Sequence, residues 1–279
     1  MPSSYNSTAP QTLDLADRAR MSVHSLTSCA DPSANYETYQ CMHFDTNPPY
    51  FTHNNGGPCL PKVIHALPLM RKMSGSVENS DYDSKMLDAI TNDIDDRGLW
   101  WLRTKGKPYR TKMFGRDTYW PMPHARLIIG MMAINGCTSD YSSMPTLHKL
   151  ANGLKDVAFE NNIHAWYENS VPGHFPLAQL PEDTDALTLV KATDPSTVSD
   201  PLSNPMNPAS NEPSKVNFQT IGNALRALTQ WYRLTGDERT RDIAEKTANF
   251  MMKPTMWGPT EGPSQISGIE HAHWQGHFH

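Results

Sequence analysis

The sequence predicts an all-α protein made of repeated helical hairpins that share one core, forming a ring or part of one. Two observations carry that prediction. The first is a self-similarity at an offset of a hundred residues, where Ala125-Arg126-Leu127-Ile128-Ile129-Gly130-Met131-Met132-Ala133-Ile134-Asn135-Gly136 aligns with Leu225-Arg226-Ala227-Leu228-Thr229-Gln230-Trp231-Tyr232-Arg233-Leu234-Thr235-Gly236. Each copy is an apolar helix running into an Asn-Gly or Thr-Gly stop. The second observation is that an amphipathic helix follows each copy after a polar turn. A hairpin of this kind cannot bury its apolar stripe alone, so repetition implies stacking around a common core.

The elements follow in order. Leu13, Ala16, Ala19, Val23 and Leu26 recur at helical spacing, giving a first helix that breaks near Ser28-Cys29-Ala30-Asp31-Pro32. Tyr36 to Pro61 carries Pro48-Pro49, Gly56-Gly57-Pro58 and several aromatics with no sustained period, and reads as an ordered loop. Lys62 to Lys72 and Ser84 to Ile94 read as two helices, the first led by Pro61 as a first-turn proline. Asp95 to Arg103 is a turn followed by a short apolar stretch suited to an extended arm. Pro121 to Gly136 is the first helix of the repeat, and Thr146 to Asn161 its partner, with Leu147, Leu150, Ala151, Leu154, Val157 and Ala158 on one face. Val171 to Ser214 holds eight prolines and few large apolar residues, the composition of a long surface excursion. Val216 to Thr235 and Glu238 to Lys253 form the second hairpin, with Asp237 as helix cap after Gly236. The whole reads as a single helical domain over residues 1–279.

Composition bounds the function. The chain has 279 residues, and its 24 basic and 29 acidic side chains leave a net charge of −5, with no stripe of Lys or Arg. A nucleic-acid partner is therefore not expected. No apolar run approaches the roughly 20 residues that span a bilayer, and the opening residues lack the pattern of a signal peptide, so the expectation is a cytoplasmic protein with no membrane partner. Cys29, Cys41, Cys59 and Cys137 are too unevenly spaced for a zinc knuckle or a redox pair, and read as small buried hydrophobes.

The stretch Asn223 to Thr240, with its Leu234-Thr235-Gly236-Asp237 turn, resembles the hairpins of helical-toroid enzymes that act on glycans, a broad group of (α/α) glycoside hydrolases and polysaccharide lyases. In that group an inner helix ends in a Thr-Gly-Asp-type turn and an outer helix returns. Asp96-Arg97-Gly98-Leu99-Trp100-Trp101 and Lys105-Gly106-Lys107-Pro108-Tyr109 are similar to the entry region of such proteins. The resemblance implies a toroid, a saccharide substrate and no cofactor. Only three or four hairpins are legible, and the chain stops at Gly276-His277-Phe278-His279 in what reads as the opening of another inner helix. The resemblance therefore implies an N-terminal or partial stretch of a toroid.

Glycan hydrolysis needs a carboxylic acid beside the leaving oxygen and a second carboxylate as base or nucleophile. Asp95, Asp96, Asp117 and Glu270 stand at helix starts or loops. Asp117 and Glu270 are taken as the catalytic pair, because Phe114 to Trp120 brings an acid, a cation and two aromatics to the start of an inner helix. Either acid serves equally well as an ordinary helix cap or first-turn residue. Trp100, Trp101 and Trp120 offer ring faces for a pyranose, while Arg116, His273 and His277 offer hydrogen bonds to its hydroxyls. Glu270 to His279 could also ligate a metal, since His273 and His277 share a helical face, but Trp274 stands where the zincin motif has Glu. No metal is assigned.

A lyase that cleaves a uronate by β-elimination is the alternative, with Tyr50, His53, Asn54 and Asn55 available as base and charge neutralisers. A non-catalytic helical-repeat protein that binds a partner on its concave face is the third reading.

Overall fold

The structure is a computed structural model, and it describes residues 14–39, 41–44, 47–53, 56–103, 107, 118–167 and 218–252. Among these the fold is mostly helical. The helices are α1 (Leu15–Ser28), α2 (Gly56–Ser74), α3 (Asp81–Thr91), α4 (Pro121–Thr138), α5 (Met144–Asp156), α6 (Phe218–Thr235) and α7 (Glu238–Met251). Short antiparallel pairs join them: β1 (Ala30–Asp31) with β2 (Glu37–Thr38), β3 (Cys41–His43) with β4 (Tyr50–Thr52), β5 (Trp101–Leu102) with β6 (Thr118–Tyr119), and β7 (Phe159–Glu160) with β8 (Ala165–Trp166).

Three helices form the spine. Helix α2 packs on α4, and α4 on α6. Gly130 lies against the backbone of Pro61 and His65, while Lys72 donates to the Gly136 carbonyl at 3.4 Å, so α2 and α4 run in the same direction. Arg126 and Ile129 line one cavity with Asn223 and Arg226, and Ala133 and Gly136 line the next with Gln230 and Leu234, which gives α6 that direction too. Helix α1 covers α2, and α7 covers α6. Helix α5 leans across from α4 to α6, where His148 meets Trp231 edge to face at 4.8 Å and Lys155 bonds the Asp237 carboxylate. Leu60, Leu67, Leu127, Leu147, Leu150, Leu154, Ile221 and Leu228 are all buried in one continuous core.

Helices α4 and α5, and helices α6 and α7, follow one another across short turns, and the two turns begin differently. Gly236 takes a left-handed φ of +71° that frees α6 to end, and Asp237 then caps α7 by accepting the Arg239 N–H at 3.1 Å. In the first copy the Asn135-Gly136 stop does not operate. Helix α4 continues to Thr138, and Ser139 at φ +58° donates its N–H to the Asn135 carbonyl.

Three other boundaries are corrected. Helix α2 begins at Gly56, so Pro61 and Pro68 lie inside it and Pro61 is no first-turn proline. Helix α5 stops at Asp156, because Asn161 turns the chain by accepting the N–H groups of Ile163 and His164, and β7 and β8 pair across that turn. Within the expected loop, β3 and β4 form a hairpin. The cysteines are not uniformly buried either, for Cys29 is exposed and Cys59 and Cys137 are half-buried. The proline-rich excursion at 171–214 lies outside the described residues. No helix among the described residues is long and apolar enough to cross a membrane.

Candidate functional site

The turn before β5 is built around Asp95. Its carboxylate accepts the N–H groups of Arg97 at 3.0 Å and Leu99 at 2.9 Å, the Trp101 indole N–H at 3.0 Å, and the Arg97 guanidinium at 2.8 Å. Burial works to raise its pKa, but these hydrogen bonds and the Arg97 charge outweigh it and hold the carboxyl below the ordinary range. A carboxylate so fully engaged serves the turn rather than a substrate. Gly98 follows at φ +80°, its backbone pressed against the Lys149 carbonyl of α5.

That turn delivers the tryptophans of interest. Trp100 is only 1% exposed and Trp101 6% exposed, both within the core. Trp101 is tilted against Tyr119 at 5.8 Å, with the Arg103 guanidinium 5.5 Å from its ring centre. Both rings pack against core neighbours in this arrangement. Trp120 is half-buried at the N-cap of α4. Asp117, Arg116, Glu270, His273 and His277 lie outside the described residues, so Trp100, Trp101 and Trp120 are the site assignments that the structure locates.

Beneath them His124 is wholly buried. It accepts the Trp100 N–H at Nδ1, 3.4 Å away, and its Nε2 lies 2.9 Å from the Leu150 carbonyl, which fixes the tautomer with the proton on Nε2. Burial pulls its pKa down to about 4, against the opposing pull of the Leu150 carbonyl, so the ring is neutral. His124 thus ties the tryptophan strand, α4 and α5 together.

Of the residues considered for elimination, Tyr50 is 41% exposed on β4, and His53 is 7% exposed, 4.4 Å from the Tyr39 ring and 3.5 Å from the Asp31 carboxylate. Asn54 and Asn55 lie outside the described residues.

A different cluster stands where α2, α4 and α6 meet. A cavity of about 100 Å³ is lined by Lys62 and His65 from α2, Arg126 from α4, and Asn223 and Arg226 from α6. It shares His65 and Ile129 with a neighbouring groove of about 480 Å³ that runs toward the helix C-termini between Met132, Tyr141, Gln230 and Arg233. Neither lining includes a carboxylate among the described residues. Arg126 is half-buried, and its Nε is buried with no hydrogen-bond partner. Burial lowers the Arg126 pKa, the nearby Cys59 thiol acts to raise it, and the charge of Arg226 lowers it again. Burial also lowers that of His65, with Arg226 and Arg126 adding to the effect, so its imidazole is neutral near pH 7.

This cluster was missed in the sequence as a site. Its trace was there all the same, for Arg126 and Arg226 stand at aligned positions of the two apolar segments. Among the described residues no group of three or more His, Cys, Asp or Glu side chains is placed to hold a metal ion. No protein-family model, curated protein or solved structure matches the chain.

Proposed function

We propose that the chain belongs to a glycan-cleaving enzyme of the helical-toroid kind. The observation that supports this reading is the trio of like-directed helices α2, α4 and α6 standing side by side, each followed in the chain by a second helix. Repetition of that unit curves into the concave mouth on which such enzymes seat a saccharide. In the hydrolytic form Asp117 protonates the leaving oxygen and Glu270 acts as base, with Arg116, Trp120, His273 and His277 around the sugar.

The test is a screen of oligo- and polysaccharides with the purified chain. Hydrolysis releases reducing ends without new ultraviolet absorbance, and Asp117→Asn or Glu270→Gln lowers turnover by about a hundredfold or more. Full turnover in both variants would sink the carboxylate assignment.

Elimination from a uronate is the second reading, and the basic cavity favours it. Neutral His65 can accept the proton α to the uronate carboxylate while the bond to the β-oxygen breaks, and Arg126 and Arg226 offset the carboxylate charge. Its product is an unsaturated uronate that absorbs in the ultraviolet. A binding scaffold with no chemistry would yield neither product.

A further inference from the structure

We infer that the cavity between α2, α4 and α6 is a binding site for a compact oxyanion, a carboxylate, sulfate or phosphate group, with Arg126 and Arg226 as its principal ligands. The inference shares residues with the elimination reading but does not rest on it, since small anions are expected to bind whether or not any glycan is cleaved.

The arrangement is hard to account for by stability alone. Arg126 and Arg226 come from adjacent helices and face one cavity with Lys62, and each depresses the protonation of neighbouring His65. Like charges brought together in a half-buried place repel, and the repulsion is screened less there than at an open surface. Several other described cations are paired with acids: Arg71 with Asp83 at 2.6 Å, Lys107 with Asp93 at 2.5 Å, and Arg239 with Asp242 at 2.9 Å. The cavity contrasts with these pairs, with no acid in its described lining and the buried Arg126 Nε without a hydrogen-bond partner.

An oxyanion supplies what is missing. Guanidinium groups present paired N–H donors that match carboxylate, sulfate and phosphate oxygens, while the Lys62 ammonium at the exposed rim and the buried Asn223 add polarity to the lining. The size agrees. About 100 Å³ of water-accessible space takes a group of a few heavy atoms and no whole sugar ring, while the adjoining groove of about 480 Å³ lies in the range of ligand pockets and can take the body that carries the group.

The experiment titrates the full chain with inorganic phosphate, sulfate and acetate at constant ionic strength, reading heat of binding and thermal midpoint, with chloride as reference. Saturable binding of at least one of the three anions above the chloride reference is expected, and the tightest of them identifies the head group. Arg226→Met weakens that binding about tenfold or more. In the absence of anion the same variant melts no lower than wild type, because a repulsion has been removed, whereas loss of a merely structural arginine would lower the midpoint. Should Arg226→Met fold poorly, Lys62→Met at the exposed rim gives a smaller weakening by the same readouts. No saturation by any of the three anions, or binding unchanged in both variants, overturns the site. Phosphate binding without cleavage of any uronate leaves the site standing and removes the elimination reading.

Discussion

Replacing Gly98 by alanine tests how the tryptophan turn is held against α5. A Cβ built on Gly98 would stand 2.0 Å from the Lys149 carbonyl oxygen and 2.5 Å from its carbon, and both are backbone atoms that cannot swing aside. Gly98 also has φ +80°, where an L-residue costs about 1 to 2 kcal/mol. Forced overpacking costs about 1 to 3 kcal/mol more. The expected loss for Gly98→Ala is therefore about 2 to 5 kcal/mol, a large part of the roughly 5 to 15 kcal/mol that keeps a domain folded. Gly236→Ala is the matched control. It has φ +71° with nothing within 4 Å of the added Cβ, so only the conformational cost of about 1 to 2 kcal/mol applies. Urea titrations followed by tryptophan fluorescence measure both. Gly153→Ala approaches the same contact from the other side, 2.5 Å from the Gly98 oxygen, and Gly98→Ala with Gly153→Ala together should lose less than the two single losses combined. Equal losses at Gly98 and Gly236 would show that the turn does not press on α5, and the reasoning would fail.

Other outcomes follow from the same geometry. His124 is neutral in the fold with a pKa of about 4, against about 6.5 when unfolded, so the unfolded chain binds more protons in that window. Its stabilisation is fully present above pH 6.5 and is lost as pH falls toward 4, by about 3 kcal/mol at the end of the window. The urea midpoint of wild type should drop across that range more steeply than that of His124→Gln. Burial acts to raise the Asp237 carboxyl, but the Lys155 and Thr240 hydrogen bonds win and hold it down to about 2. Asp237→Ala should cost about 1 kcal/mol for the cap and more for the Lys155 left behind, whereas Asp237→Asn, which can still cap, should cost less by urea titration.

The helical character was legible because it depends on patterns that one sequence carries in full: an apolar run, a stop, a polar turn and a second stripe. Asp237 as cap and Gly236 as stop were read correctly, since both act within a few residues of themselves. Errors arose where distant packing decides. Gly56-Gly57-Pro58 reads locally as loop, yet α2 starts there, because Leu60, Val63, Ile64 and Leu67 are buried against the rest of the core and that outweighs poor propensity. Val157 and Ala158 extend the α5 stripe on paper, while Asn161 turns the chain soon after and strand pairing takes over. Trp100 reads as either core or platform in the sequence, and its 1% exposure comes from packing that no local pattern displays. The basic cavity was hidden for a similar reason. Lys62, Arg126 and Arg226 are far apart in sequence, and nothing local reveals that three helices bring them to one place.

One contact sets where the histidine of that cavity stands. A methyl group on Gly130 would lie 3.2 Å from the His65 backbone nitrogen and 3.3 Å from the Pro61 carbonyl, so the absence of a side chain there lets two helix backbones nearly touch. The imidazole is consequently located by main-chain proximity, independent of whatever polar company it keeps. The spacing between α2 and α4 behind the cavity is thus set by two main chains in close approach, and a larger residue at position 130 would push them apart.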